Sequence, residues 1–526
     1  MGLRLPPGRR YGLDPRGTAA VVVGSSDGIL RRPPSWDDRW VSSWRFPLDG
    51  ICGGSHARRS VAALATVLVG LAALAGCGSA SGGVRGVAGG PSAAAVTAGA
   101  AIPLRLGADW ATYHGDVSRA GYVPGGPDPV APAVAWRATL DGAVYASPIV
   151  VGGLVVVATE GGSLYGLDAA SGAVRWRTHL ADPVPGSVLP CGDIDPLGIT
   201  GTPVYDPGTG QVFAVAARPG VEHVLFGVDL RSGQVRGQRR VDAPGSEPAT
   251  ELQRGALLLA NGMIYIPYGG NFGDCGQYLG RVVGVPVAGD GPEVDFAVPT
   301  TREGGIWAPS GPAALPGGDI LVTAGNGEAV GGVWDHSDSI LRLSPQLRLL
   351  DGFAPSGWAQ ENSVDADLGS TGPVLLPGAR RVVAAGKGGG VYLADVDALG
   401  GVGRELDRLV PCHSYGGAAT TSGQGGGAVV YLPCTEGLLQ VLVGADDRMT
   451  RGWQANAAIT GSPVVVGATV WSVQPDGTLD GLDSATGRVL ATVPVGAATR
   501  FATPAVSGAA MFVPTRDGVT AVALRP

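Results

Sequence analysis

Short apolar runs separated by polar turns recur along the chain, and residues 145–180 show the pattern most completely. A Ser147-Pro148 pair precedes a β-branched run at residues 149–158, which is interrupted by two glycines. A shorter apolar run ends in the turn Asp168-Ala-Ala-Ser-Gly172, and a final run contains Trp176. Val, Ile and Leu runs bounded by Gly, Asp and Ser predict strands. Four such runs within about 36 residues predict one antiparallel meander.

Further segments repeat this order of strands and turns. They are residues 199–241, 253–299, 305–361, 368–409, 414–456, 459–496 and 500–524. Four strands that recur about every 40–50 residues predict an all-β fold, a β-propeller of four-stranded antiparallel blades. We count eight blades, or seven if one of the degenerate middle copies is not a blade. The last copy lacks its fourth strand, and residues 133–140 are predicted to supply it and close the ring.

The repeat ends in the pattern Gly-Leu-Asp-x-x-Ser/Thr-Gly-x-x-x-Trp, which is complete between Gly166 and Trp176. This pattern resembles the repeat of the pyrroloquinoline quinone (PQQ) dehydrogenase-like propellers, a superfamily that also includes non-enzymatic outer-membrane assembly lipoproteins. Residues 109–121 resemble the lead-in to the first blade of those proteins. The resemblance covers residues 109–526 and implies the fold more strongly than an activity, since these residues build the blade. The Asp caps turn amides, the Gly takes positive φ, and the Trp is expected to pack between blades.

The N-terminal residues lack the repeat. Residues 56–77 combine two arginines, an apolar stretch and Leu-Ala-Gly-Cys77, which predicts a secretory signal whose end resembles the lipobox of bacterial lipoproteins. A single membrane-spanning anchor is the alternative, but an apolar run of about 16 residues is short for a bilayer. Residues 1–55 are interpreted as a disordered N-terminal extension, with the true start near residues 41–55. Residues 78–105 are interpreted as a flexible Gly/Ala/Ser linker and 106–526 as the propeller. We therefore expect an exported membrane lipoprotein, lipidated at Cys77 and facing away from the cytoplasm.

Composition fits a large turn-rich β domain. Hydrophobic residues make up 45% of the chain and supply a core, and Gly 89 and Pro 41 fit many tight turns. The net charge of −7, with only 15% charged residues, offers no basic stripe for nucleic acid.

Cysteines in the propeller region predict disulfides. Besides Cys52 and Cys77, the chain has Cys191, Cys275, Cys412 and Cys434. An even number in an exported domain indicates disulfides, with three possible connectivities. The last two cysteines lie in one repeat and the first two in loops of adjacent repeats, which favours Cys191–Cys275 and Cys412–Cys434. Zinc is the alternative, but no Cys-x-x-Cys or His pair occurs.

Polar strings in the middle of the chain carry a second resemblance. GGIW, AGNG, DHSDS and DLGSTGP, all between residues 304 and 373, resemble a PQQ-repeat lipoprotein family of actinobacteria. At a distance they also resemble quinoprotein dehydrogenases, in which a Gly-Asn turn supplies a calcium ligand and an Asp is the catalytic base. The matching positions are Asn326 and Asp338. The departures are the lack of an adjacent Cys pair, of a Pro-Gly-Asp-Asn string around Asp338 and of a matched Glu.

Polar and aromatic residues between strands form a candidate cluster on one face of the propeller. Its members are Asp193, Asp195, Trp307, Asp335, His336, Asp338, Asp365, Asp367 and Lys387. One interpretation is a binding or relic catalytic site at the mouth of the central channel. The other is that Asp and Ser cap turns between strands. The sequence does not decide between them.

Two functions follow from these features. The first is a non-enzymatic, membrane-tethered binding or scaffold protein for a protein or cell-envelope partner, expected to be a monomer without a cofactor. The second is a quinoprotein-type dehydrogenase that uses PQQ and calcium. No Gly-x-Ser-x-Gly, P-loop or His-Glu-x-x-His string occurs, so hydrolase, NTPase and metalloprotease functions have no support.

Overall fold

The predicted propeller has eight blades. The structure, a computed structural model, describes residues 95–98 and 102–525. Eight separate antiparallel sheets are formed, which resolves the count between seven and eight. The predicted signal at 56–77, Cys77, the extension at 1–55 and most of the linker lie outside the described residues. Within the described residues, no helix is both long enough and apolar enough to cross a bilayer.

Each blade contributes strands in order from the channel outward. Blade 1 has Ile149–Val151, Leu154–Ala158, Ser163–Asp168 and Val174–His179. Blade 2 has Val204–Asp206, Gln211–Arg218, Glu222–Asp229 and Val235–Arg240. Blade 3 has Leu258–Ala260, Met263–Gly270, Arg281–Pro286 and Val294–Ala297, with Glu251–Leu252 beside its second strand. Blade 4 has Ala313–Ala314, Ile320–Ala324, Ser339–Leu343 and Leu349–Ala354, extended by Gly401–Val402.

The remaining blades follow the same order. Blade 5 has Val374–Leu375, Arg381–Ala385, Val391–Asp395 and Asp407–Leu409. Blade 6 has Ala419–Ser422, Ala428–Leu432, Leu439–Val443 and Met449–Gln454. Blade 7 has Val464–Val466, Thr469–Val473, Thr478–Asp483 and Val489–Pro494, with Tyr122–Val123 parallel to its inner strand. Short helices occur at Tyr113–Gly115, Gly186–Val188, Trp358–Asn362, Leu368–Ser370 and Gln424–Gly426.

Blade 8 closes the ring with strands from both ends of the described region. Its inner strands are Ala505–Ser507, Ala510–Thr515 and Gly518–Ala523, and its outer strand is Ala133–Thr139, as predicted. Ala95–Ala98 pairs with that outer strand, inside the segment expected to be flexible linker. Ile102 and Leu104 also pack against the blade 8 core. Apolar side chains before residue 106 therefore cover part of the blade 8 core.

The recurring order of turn and tryptophan joins neighbouring blades. Trp176 of blade 1 donates its indole N–H to the Leu230 carbonyl in a turn of blade 2, at 2.8 Å. The ring lies against Gly233 of that turn, where φ is +71° and a Cβ would come within 2.8 Å of the indole. Blades 8 and 1 repeat this contact through Trp136, and blades 6 and 7 through Trp453. The repeat pattern thus encodes the interblade contact as well as the turn.

Both predicted disulfides are present. Cys191–Cys275 joins two loops with a Cα–Cα distance of 6.1 Å, and Cys412–Cys434 joins two segments of one blade unit at 5.1 Å. The first bond links the segment before blade 2 to a loop of blade 3.

The two ends of the ring carry different connections. In each blade, the turn between the first two strands and the turn between the last two lie at one end, which we call the turn face, because antiparallel strands reverse at every turn. The loop between the second and third strands and the connection to the next blade lie at the opposite end, which we call the loop face.

Residues 109–123 close the channel at the turn face. Their backbone bonds to the inner strands of five blades, at Val150, Tyr205, Ala314, Thr420 and Val465, with N–O distances of 2.7–3.0 Å. A segment that touches blades on all sides must cross the channel axis. The predicted lead-in is therefore a plug.

Two buried side chains fasten this plug. Arg119 donates to the carbonyls of Leu257 at 3.0 Å and Pro312 at 2.9 Å. The Nδ1 of His114 donates to the Ala418 carbonyl at 3.1 Å, which leaves its Nε2 to accept from the Thr503 hydroxyl at 3.1 Å. Burial lowers the pKa of His114 to about 3, in keeping with a neutral ring. Within the described residues, the plug therefore separates the channel from the turn face.

Candidate binding site at the channel mouth

A ring of eight residues surrounds the channel on the loop face. Each stands four positions before the start of an inner strand, and we call them mouth residues: Tyr145, Thr200, Arg254, Pro309, Ser370, Tyr415, Thr460 and Phe501. The position recurs because each connection enters its inner strand through the same short turn, often ending in Ser-Pro or Thr-Pro.

Several mouth residues meet across the channel. The Arg254 guanidinium lies 5.7 Å from the centre of the Tyr145 ring and 5.8 Å from that of Phe501. Tyr415 stacks on Phe501 with centroids 6.2 Å apart, and Trp307 contacts Phe501 at the same separation. Four of these residues lead into blades 1, 3, 6 and 8, so their contacts span the axis. The mouth is an aromatic surface whose contacts meet at Phe501, with the Arg254 guanidinium beside it.

Arg254 is buried but weakly bound. The side chain belongs to a residue only 6% exposed, and burial lowers its pKa. Among the described residues, the hydrogen bond that its guanidinium makes is from Nη2 to the Arg500 carbonyl, at 3.3 Å. A guanidinium has five N–H donors. The remaining donors are available to water or to an acceptor on a ligand.

Glu160 lies close to Arg254 in the blade 1 loop. Its Oε2 accepts the Gly198 N–H at 2.6 Å, whereas Oε1 is buried without a hydrogen-bond partner in the described chain. Burial raises the pKa of Glu160 to about 7, although the Gly198 N–H and Arg254 lower it. The oxygen of Gln253 and the hydroxyl of Tyr113 are likewise buried without partners there. These polar atoms fit bound water or a polar ligand in the channel.

The rim of the mouth carries two further cations. Arg500 pairs with Asp193 and lies 5.7 Å from the ring of Phe272, which is 61% exposed. Lys387 pairs with Asp365 at 2.5 Å and Asp367 at 2.7 Å, and its ammonium lies 5.8 Å from the Trp307 ring. Five members of the predicted face cluster therefore lie at the rim: Asp193, Trp307, Asp365, Asp367 and Lys387. Phe501 connects the Asp193 side with the Lys387 side, because its ring contacts both Arg500 and Trp307.

The other members of the predicted cluster have local structural contacts. Asp195 accepts the Gly186 N–H at 2.8 Å, and Asp335 accepts the Ser337 N–H at 3.2 Å. His336 has φ of 68° and stacks on Trp334 at 4.4 Å. Asp195 and Asp335 therefore cap turns between strands, which is the second of the two interpretations of the cluster.

Asn326 and Asp338 lie beneath the lysine cluster. Asn326 donates its backbone N–H to Asp367 at 2.6 Å and its side-chain amide to Glu303 at 3.1 Å. Asp338 is 0% exposed, and one of its oxygens accepts the Leu368 N–H at 3.0 Å. Burial, with Asp367 adding to it, raises the pKa of Asp338 well above its usual range. A buried carboxyl that accepts a turn N–H differs from a solvent-exposed catalytic base.

The residues present do not fit the calcium and quinone that the resemblance implies. No set of three or more His, Cys, Asp or Glu side chains in the described segments is arranged to hold a metal ion. Of the two carboxylates that contact Asn326, Asp367 already binds the ammonium of Lys387 and Glu303 pairs with Arg302. The chain also lacks two adjacent cysteines to cover a quinone ring.

Comparison with known proteins supports the architecture. A family model described as outer membrane protein assembly factor BamB matches residues 128–267. The BamB of Moranella endobia is 25% identical over 156 residues, which are 28% of this chain and 36% of that protein. The match therefore spans about a third of the relative's length.

Solved structures extend the likeness over the whole ring. The quinohemoprotein alcohol dehydrogenase of Pseudomonas putida HK5 superposes with a TM-score of 0.59 at 15% identity, covering 79% of this chain and 80% of the other. The protein is an eight-bladed β-propeller. The quinohemoprotein alcohol dehydrogenase of Comamonas testosteroni agrees, with a TM-score of 0.58 at 16% identity over 79% and 80% of the two chains. At these identities the likeness concerns the fold.

Sequence reasoning missed the centre of the mouth in this propeller. Arg254, Phe501, Tyr145 and Tyr415 were not among the candidates, which came from polar strings in the middle of the chain. A positional signal could have found them, since two of them stand two residues before a Ser-Pro or Thr-Pro pair. Aligning the repeats on that pair brings the mouth residues into one column.

Proposed function

We propose that this protein is a non-enzymatic, extracytoplasmic scaffold, tethered to the membrane through Cys77, that binds a protein or other cell-envelope partner on its loop face. The observation that carries the proposal is the aromatic surface around Arg254. Trp, Tyr and Arg are the residue types that contribute most to protein interfaces. Three half-buried aromatic rings and a weakly bound guanidinium meet there, in a propeller whose opposite end is plugged.

Two further observations support this proposal. The family model and the curated relative are named for outer membrane protein assembly, which is an envelope function of those proteins. The predicted signal ending at Cys77 would export this chain to the same side of a membrane. A bound partner there needs no cofactor, and we expect none.

A site-specific photocrosslinking experiment tests the proposal. A photoreactive residue at Phe272, on the rim, should capture an envelope partner in intact cells. The matched control is Val235, which is also apolar and exposed at 44% but lies near the turn face of the adjacent blade. Trp307→Ala should abolish the Phe272 crosslink without unfolding the protein. Equal crosslinking from both positions, or a crosslink that survives Trp307→Ala, would contradict the proposed site.

The alternative is a quinoprotein-type dehydrogenase that uses PQQ and calcium. The fold likeness to the two alcohol dehydrogenases favours it, whereas the contacts of Asn326, Asp338 and Lys387 do not. Dye-linked alcohol or sugar oxidation after addition of PQQ and calcium separates the two functions.

A further inference from the structure

Lys387 is the single lysine of the chain, in which every other one of the 37 Lys and Arg residues is arginine. It stands just after the second strand of blade 5, on the loop face. Arginine and lysine are not interchangeable at such a site, because an ammonium is a compact point charge and a guanidinium is a planar fork. A position that departs from the composition of the whole chain points to a geometric requirement for the smaller cation.

The ammonium of Lys387 is held by two carboxylates. Its Nζ lies 2.5 Å from Asp365 and 2.7 Å from Asp367, whose side chain is 4% exposed. Although burial lowers it, the carboxylates of Asp367 and Asp365 raise the pKa of Lys387, so the group is charged at neutral pH. Both contacts are direct charge-assisted hydrogen bonds from the ammonium to a carboxylate oxygen.

The surroundings of Lys387 contain further carboxyl oxygens. The second oxygen of Asp367 accepts the N–H of Asn326, the position to which the family resemblance assigns a calcium ligand. Asp338 lies beneath with Oδ2 buried and without a hydrogen-bond partner in the described residues. The acidic oxygens around the ammonium thus outnumber those it binds.

We infer that Lys387 is a tethered cation that fills a cation site of the loop face, so that this propeller holds the rim together without calcium. Removal of the ammonium leaves Asp365 and Asp367 converging on a point that takes an oxygen-seeking cation such as Ca²⁺ or Tb³⁺. This inference stands apart from the proposed partner binding, because it concerns what holds the rim and not what docks there.

The test compares the full-length protein with Lys387→Ala. Trp307 lies close enough to the ammonium to sensitise Tb³⁺ luminescence. The variant should melt at a lower temperature than wild type, regain stability on addition of Ca²⁺, and show saturable tryptophan-sensitised Tb³⁺ emission. A site with few carboxylates implies a Kd of about 10⁻⁴–10⁻³ M. Wild type should show neither response, and Lys387→Ala combined with Asp367→Asn should lose both.

Lys387→Arg tests whether the site requires the compact ammonium or only a positive charge. The variant keeps the charge but changes its shape, so it should melt below wild type and still bind no Tb³⁺. If Lys387→Ala folds but Ca²⁺ and Tb³⁺ have no effect on it, or if Lys387→Arg equals wild type in stability, the inference is wrong. Should Lys387→Ala fail to fold, Lys387→Met provides the same comparison with the side-chain volume retained. Partner crosslinking at Phe272 is a separate readout, so either idea can fail alone.

Discussion

The contact between a tryptophan of one blade and a turn glycine of the next makes a quantitative prediction for Gly233→Ala. Gly233 has φ of +71°, and an added Cβ would lie 2.8 Å from the Trp176 indole. An L-residue in this conformation costs about 1–2 kcal/mol. Forcing a methyl group into a packed contact costs about 1–3 kcal/mol more. The variant should therefore lose about 2–5 kcal/mol of unfolding free energy.

Blade 2 contains a matched control for this variant. Gly210 ends an Asp-initiated turn of the same length, has φ of +70°, and has open space within 4 Å of the point where a Cβ would lie. The Asp side chain caps the turn in both cases, at Asp206 and Asp229. Gly210→Ala should thus lose only the conformational cost, about 1–2 kcal/mol.

Urea denaturation of the full-length proteins measures the difference. We expect Gly233→Ala to be less stable than Gly210→Ala by about 1–3 kcal/mol. In a Trp176→Leu background, where the ring is absent, that excess should vanish. If the two alanine variants are equally stable in the wild-type background, the Trp–Gly contact does not lock the blades and the reasoning fails.

Three further predictions concern the anchor, the channel and the plug. Cys77→Ala should move the protein from the membrane to the soluble fraction, and a variant that stays membrane-bound would contradict lipidation. The raised pKa of Glu160 means that its neutral carboxyl stabilises the wild-type fold below pH 4.5, and that this effect is lost as pH rises through about 7. Glu160→Gln does not titrate, so its free energy of unfolding should rise relative to that of wild type by up to about 3 kcal/mol between pH 5 and 8. Melting curves at several pH values check this, and a constant difference would refute it. Arg119→Met should lower the free energy of unfolding by about 2–5 kcal/mol, because two buried carbonyls lose their donor. The control Arg175→Met, at a side chain that is 60% exposed, should change that free energy little.

The blades could be predicted because each repeat encodes its own strands, turn and interblade contact. The Asp and Gly of the repeat, such as Asp168 and Gly172, mark the same turn in each copy. The antiparallel meander therefore follows from local sequence alone. The closing strand at 133–139 could also be predicted, since the last repeat lacked one strand and the residues before the first repeat supplied it.

The candidate site could be predicted only in part. Lys387, Asp365 and Asp367 were identified as loop residues, but their pairing depends on how two loops from different parts of the chain approach each other. Asp195 looks the same in sequence yet only caps a turn. Arg254 could not be predicted because its importance lies in its contacts with Tyr145 and Phe501 of other blades, which form only when the ring closes. Long-range geometry of this kind is absent from local patterns.

Titration of the purified full-length protein with PQQ in the presence of calcium decides between the scaffold and the dehydrogenase. Melting temperature and dye-linked oxidation of alcohols and sugars would be followed together. A ligand that binds the folded state raises the melting temperature by mass action. We predict that neither the melting temperature nor the dye responds, because Lys387 occupies the cation site and the quinone-covering residues are missing. A rise in melting temperature accompanied by substrate-dependent dye reduction would contradict the scaffold account and establish the dehydrogenase.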